Sequence, residues 1–255
     1  MAPADKPVFG TVIFDCDSTL STVEGIEALS ADHQAEVEAM TNAAMRGESR
    51  LEEVYARRLE LVRPTRSAVE ALGRRYIAGM VPDAREVVAA LQDAGVAVRV
   101  LSGGLLPAVR MLAVELGIAT PDVAAVALRF DDDGAFLAFD ADSPLARAGG
   151  KAEVVRRWLP TLPRPIMLIG DGETDLEAKP VVDLFVAFAG VAEREPVTGK
   201  ADVVVRSASL APVLPLALGA GRHGDAYGRG RAFIEEGAVT FTSRSADLQA
   251  ALTGG

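Results

Sequence analysis

The sequence predicts an α/β protein, a doubly wound parallel sheet with a small helical unit inserted after the first strand. Three observations carry that prediction. An apolar run at residues 8–14 leads into Asp15-Cys16-Asp17. Residues 21–79 then show helical spacing with few β-branched runs. From Pro82 onward, short apolar runs alternate with helical segments, the pattern that sets consecutive strands parallel.

The elements follow in order. Residues 8–14 read as a first, fully buried strand. In the helical stretch, Leu51, Val54, Leu59 and Val62 recur on one helix face. Pro64-Thr65-Arg66 ends one helix and starts another, with Thr65 placed as N-cap. Residues 83–94 form a helix stopped by Gly95, residues 96–101 a strand, and residues 107–116 a helix closed by Gly117. Residues 128–139 read as a hairpin, because Asp131-Asp132-Asp133-Gly134 separates two short apolar runs. A helix at 151–159 and strands at 166–169, 184–188 and 202–205 complete the pattern, the last of these being the final expected strand. The expected organisation is a core at 1–20 and 80–218, a helical cap at 21–79 and a tail at 219–255. Gly221-Arg222-His223-Gly224 and Gly228-Arg229-Gly230 make that tail read as flexible, with a weak pattern around Phe233 and Phe241 and no assigned role.

A chain of 255 residues accommodates one large domain, or a core with a smaller insert. Its 49% hydrophobic and 24% charged residues are ordinary for a folded protein. A formal net charge of -10 argues against non-specific attachment to nucleic acid or to an anionic membrane. One cysteine, Cys16, excludes an internal disulfide framework and fits a reducing compartment. Lying between two acids, Cys16 reads as a small buried filler rather than a reactive thiol. Residues 1–6 carry no apolar leader segment and no stretch approaches a membrane span, so a cytoplasmic protein is expected.

Four segments carry chemistry at strand ends or helix starts, where open α/β sheets bind ligands. Asp15 and Asp17, two apart at a strand mouth, let one carboxylate attack while the other handles a proton. Read alone, the same residues also make an acidic turn. Ser102-Gly103-Gly104 follows the second strand, and its glycines let backbone approach an anion, although a plain strand-to-helix turn looks the same. Gly149-Gly150-Lys151 sets a cation at the positive end of a helix, which suggests an anionic partner or a solvated lysine. In Gly170-Asp171-Gly172-Glu173-Thr174-Asp175, Asp171 and Asp175 either face one cation or cap the next helix. Together these groups match phosphoryl transfer through an aspartyl-phosphate, with Mg²⁺ offsetting the phosphate charge.

In this order the motifs resemble the haloacid dehalogenase superfamily, and within it the phosphatases that act on O-phosphoserine, over residues 8–215. Val23-Glu24-Gly25-Ile26, Met40-Thr41, Arg58-Leu59-Glu60-Leu61 and the hairpin add to the likeness. The resemblance implies a Rossmann-like core under a helical cap, with hydrolysis of a small phosphomonoester to an alcohol and phosphate. It implies Asp15 as nucleophile and Asp17 as the acid that protonates the leaving oxygen and later activates water. Mg²⁺ would be held by Asp15, the backbone carbonyl of Asp17 and Asp171, with Asp175 supporting or contacting it. Ser102, the Gly103 amide and Lys151 would hold the phosphoryl oxygens, with Thr174 among the substrate-binding residues. Glu24 would meet the substrate ammonium and Arg58 its carboxylate, which a planar guanidinium pairs with bidentately. Read by pattern alone, Arg58 is equally a surface arginine and Glu24 an ordinary helix-start acid.

Two residues depart from the family pattern. Leu51 stands where an aromatic is frequent, and Glu173 where a small residue is usual, and both bear on the substrate rather than on the chemistry. Two other functions use the same parts. A phosphotransferase would pass the aspartyl-phosphate to a small alcohol such as homoserine. A receiver-like module would hold the phosphoryl group without turnover, although Asp17 and the helical insert speak against it.

Overall fold

The computed structural model describes residues 6–30, 33–45, 50–242 and 245–253. Its centre is a sheet of strands β1 (Thr11–Phe14), β2 (Ala97–Leu105), β3 (Val123–Val126), β6 (Ile166–Gly170), β7 (Leu184–Phe188), β8 (Val203–Val205) and β9 (Val239–Phe241), in the order β3-β2-β1-β6-β7-β8-β9. All neighbours pair parallel except β8 with β9. Strands β1, β6 and β7 are buried along their whole length, as expected for a parallel sheet covered on both faces. The chain leaves β1 toward β2 on one side and β6 lies on the other, so the strand order reverses at β1 and a crevice opens above its carboxyl end.

Four helices, α1 (Gly25–Leu29), α2 (Gln34–Met45), α3 (Leu51–Val62) and α4 (Arg66–Ala78), lie between β1 and α5 (Ala84–Asp93). Thr65 caps α4 by accepting from the Ala68 amide at 3.2 Å, the role its sequence position predicts. Helix α4 rests on α6 (Leu106–Glu115), close enough that a methyl at Gly73 would run into the Met111 sulfur. The hairpin is formed by β4 (Leu128–Phe130) and β5 (Phe136–Phe139) and touches the cap through Arg63 and Tyr55. The remaining helices of the core are α7 (Gly150–Trp158), α8 (Glu173–Leu176), α9 (Glu195–Thr198) and α10 (Val213–Leu218).

Several expectations need correction. The first strand begins at Thr11 rather than at residue 8, because Phe9 bonds to Ala217 and Gly10 to Pro165, outside the β1–β2 ladder. The second strand does not stop at Leu101. It continues through Ser102, Gly103 and Gly104 to Leu105, because Val126 of β3 pairs beside Leu105 after a register shift. Strand β3 itself was missed, its four residues being too short a run to show a period. The strand at Val203–Val205 is not the last.

The second glycine segment of the tail also differs from its reading as flexible. Helix α11 (Asp225–Glu235) contains Gly228-Arg229-Gly230, β9 extends the sheet, and α12 (Ala246–Thr253) follows. Gly230 is required by packing, since a side chain there would run into the Ala211 carbonyl. Tyr227, Ile234, Val239 and Leu252 are buried in the common core, and Asp83 takes hydrogen bonds from Ser209 Oγ at 2.5 Å and Arg229 Nε at 3.0 Å. Gly228 and Gly230 weaken the helical signal of α11 in the sequence, since glycine is a poor helix former.

Candidate active site

The carboxyl ends of β1, β2 and β6 meet at one cavity of about 280 Å³ beneath the cap. Asp15 follows β1 directly, and its amide is tied to the Ile169 carbonyl of β6 at 2.9 Å. Its Oδ1 accepts from the Cys16 amide at 2.7 Å, and its Oδ2 lies 3.0 Å from Lys151 Nζ. Lys151, in the first turn of α7, is itself 2.6 Å from Asp175 Oδ1. Two glycines make this approach possible. At Gly150 a side chain would strike the Pro144 carbonyl, and at Gly170 it would strike the Asp175 carboxyl.

Asp15, Asp171 and Asp175 are buried and offer oxygens that all lie within 4.8 Å of one another. Thr19 Oγ1 donates to Asp171 at 3.4 Å, and the Gly172 amide to Asp175 at 3.2 Å. An all-oxygen set of this kind suits a hard divalent cation. Its electrostatics point the same way. Burial first, then the Asp15 charge, push the Asp171 carboxyl up to about 7 against the opposing pull of Arg194. The same two causes raise Asp175 well above the carboxylate range, against Lys151. Burial would lower the Lys151 ammonium, but Asp15 and Asp175 overturn that and hold it above the ordinary lysine range. A site short of positive charge in this way fits a cation.

Asp17 lines the same cavity but stands apart from the acidic trio. Its carboxyl accepts from the Tyr76 hydroxyl of α4, and burial followed by the Asp15 charge raises it well above the ordinary range. Ser102 is fully buried, and its Oγ accepts from the Gly104 amide at 2.9 Å, which leaves its own proton free to donate. Burial, then the charges of Asp17 and Asp15, raise the Cys16 thiol, in keeping with its reading as a filler.

Of the predicted site residues, Asp15, Asp17, Glu24, Arg58, Gly103, Lys151, Asp171 and Thr174 line this cavity, while Ser102 and Asp175 stand behind its wall. Glu24 accepts from Ser18 Oγ at 2.6 Å and from Arg194 at 3.1 Å, and Arg58 pairs with Glu27. Thr41 of the cap lies outside the residues whose side chains are described, and Leu51 lines the cavity.

Sequence reasoning missed several lining residues. Arg194 bonds both Asp171 and Glu24. Tyr55 donates to the Gly103 carbonyl at 2.9 Å and stacks edge-on against Phe139 at 5.6 Å. Arg147 and Leu145 complete the wall near Lys151. One available signal was position, since Arg194 lies in the loop after β7, again at the carboxyl edge of the sheet. For the two cap tyrosines no sequence signal existed.

Comparison with known proteins agrees with this geometry. A family model described as haloacid dehalogenase-like hydrolase matches residues 12–178. The chain is similar to the phosphoserine phosphatase of Mus musculus, 37% identical over 193 residues that span 74% of this chain and 86% of that protein. It is also similar to the chloroplastic phosphoserine phosphatase of Arabidopsis thaliana, 37% identical over 199 residues, or 76% of this chain and 68% of the relative. Among solved structures, a phosphoserine phosphohydrolase-like protein from Francisella tularensis superposes with a TM-score of 0.69 at 26% identity, covering 77% of this chain and 95% of its own. With its acids, lysine and cap arranged on this sheet and with matches of this extent, the chain belongs to the haloacid dehalogenase-like hydrolase family.

Proposed function

We propose that this chain is a Mg²⁺-dependent phosphatase that hydrolyses O-phosphoserine to serine and phosphate through an aspartyl-phosphate on Asp15. The observation that carries the reading is the convergence of Asp15, Lys151 and Asp171 on one cavity that Asp17 also lines, with Asp175 behind them within reach of the same cation. The relatives' activity and the cap over the cavity support it.

Chemistry follows from the geometry. An Asp15 oxygen attacks phosphorus, and the bond to the serine oxygen breaks as Asp17 supplies that oxygen with a proton. Asp17 then takes a proton from water, whose oxygen attacks the same phosphorus, and the bond between Asp15 and phosphorus breaks to release phosphate and restore the Asp15 carboxylate. Acid–base help of this kind is worth roughly 10²–10⁴-fold in rate. Lys151, 3.0 Å from Asp15, balances the anionic charge, and the Ser102 hydroxyl and Gly103 amide hold phosphoryl oxygens. Hydrolases of this family use a divalent metal, and Asp15, Asp171 and Asp175 are the residues that would hold Mg²⁺, whose charge offsets that of the phosphate.

Substrate selection falls to the cap side. The substrate ammonium would take Glu24 from its pairing with Arg194, and the carboxylate would take Arg58 from Glu27. Thr174 lines the floor beside Asp171. Among the described residues no helix is long and apolar enough to cross a membrane.

The test is turnover of purified protein on a panel of phosphorylated metabolites with Mg²⁺, with and without homoserine. Phosphoserine should be the preferred substrate and free phosphate the product. A phosphorylated alcohol exceeding free phosphate would instead establish a phosphotransferase, and a long-lived phosphoprotein with negligible turnover would establish a receiver-like module.

A further inference from the structure

We propose that Tyr76 is a positioning residue for the reaction: its phenol, carried on a cap helix, sets the orientation of the Asp17 carboxyl. The inference rests on Asp17 serving as the acid and base of the proposed reaction. Tyr76 is fully buried in α4, and its hydroxyl donates to Asp17 Oδ1 across 59 residues of sequence. That bond occupies one oxygen and leaves Oδ2 to carry the proton given to the leaving group and the proton taken from water. Room for Oδ2 comes from Gly104, where even a methyl group would stand 3.3 Å from that oxygen. Behind the phenol, Gly25 provides the space, because a methyl there would run into the Tyr76 hydroxyl.

The chain's other tyrosines show that this partner is a choice. A buried phenol needs some acceptor. Tyr55 satisfies its hydroxyl on the Gly103 carbonyl at 2.9 Å, and Tyr227 on the Gly219 carbonyl at 2.7 Å. Among the three tyrosines, only Tyr76 bonds a carboxyl group of the site. Because α4 belongs to the inserted helices and Asp17 to the loop after β1, the bond also ties the acid/base group to the seating of the cap.

The experiment compares wild type, Y76F and Y227F on O-phosphoserine and on p-nitrophenyl phosphate, with acid quenching to count phosphoenzyme. Nitrophenolate leaves without a proton, so with that substrate only the water step needs Asp17. In Y76F, kcat on phosphoserine should fall about tenfold with KM within about twofold. Phosphoenzyme should accumulate on the aryl substrate by about threefold or more over wild type, since its formation continues while its hydrolysis slows. Y227F removes another buried phenol hydrogen bond, to the Gly219 carbonyl and away from the cavity, and should keep the wild-type phosphoenzyme fraction. G25A crowds the phenol with both partners chemically intact and should reproduce the accumulation. A wild-type phosphoenzyme fraction in Y76F, or equal changes in Y227F and Y76F, overturns the assignment. Absence of phosphoenzyme in wild type itself would strike the aspartyl-phosphate reading, a separate failure.

Discussion

Replacing Lys151 by methionine should cost the protein stability in a pH-dependent way, because the lysine is the only cation within ion-pair distance of Asp15 and Asp175 among the described residues. The Lys151 side chain is 4% exposed, and its two pairs are 3.0 and 2.6 Å long. At an effective dielectric of about 20, each pair is worth about 5–6 kcal/mol of attraction. Desolvation of the ions cancels much of this, and removing one partner from a buried pair leaves a net loss of about 3–5 kcal/mol. The pH sign follows from the carboxyls. Asp171 is pushed up to about 7 by burial and Asp15, and Asp175 is raised well above the carboxylate range by the same causes. Their folded-state values exceed the unfolded ones, so they weaken the fold as pH rises from the ordinary carboxylate range through those values. Lys151, held above the ordinary lysine range, stays charged throughout and adds no slope of its own. The full loss should therefore appear at pH 8. At pH 5.5 the stranded Asp175 carboxyl takes up a proton, and the loss should shrink to about 1–2 kcal/mol, that of an unsatisfied neutral group. Urea unfolding of wild type and K151M in chelator, at both pH values, measures this. A difference below about 1 kcal/mol at pH 8, or one that does not change with pH, would refute the role of Lys151 in balancing the buried carboxylates.

Three further outcomes are expected. D15N, which keeps the side-chain shape and leaves Lys151 its pair with Asp175, should stay folded under assay conditions while turnover falls at least about a thousandfold, as for loss of a covalent nucleophile; substantial residual activity would remove Asp15 from that role. R58A should impair phosphoserine about tenfold or more beyond its effect on a phosphomonoester without a carboxylate, as loss of a charge-assisted pair predicts; equal losses on the two would show that Arg58 does not select the substrate. In chelator the wild-type melting temperature should fall between pH 5.5 and pH 8, and Mg²⁺ should restore it at pH 8 more than at pH 5.5, because binding requires the raised carboxyls of Asp171 and Asp175 to be ionised. Calorimetry reads both trends, and a Mg²⁺ effect independent of pH would contradict them.

Local pattern and tertiary structure divided the work at identifiable residues. Alternating strands and helices, the hairpin around Asp131–Gly134 and the Thr65 cap are consequences of short-range physics, period and capping, and were legible in the linear sequence. So were the acids and the lysine of the site, because strand ends and helix starts place them where a parallel sheet binds ligands. Other features were not legible. Strand β2 runs on through Ser102-Gly103-Gly104 only because β3 pairs beside it, and the tail joins the sheet only because β9 finds β8. Arg194 reaches Glu24 across 170 residues, and Tyr76 reaches Asp17 across 59. Which hydroxyl meets which carboxyl is a matter of packing between elements distant in the chain, and no periodicity encodes it. The sequence alone determined the fold class and the acids and lysine of the site; the tertiary structure decided which further groups join them and which are paired, and hence how each is oriented and charged, since burial and proximity exist only once the elements have packed.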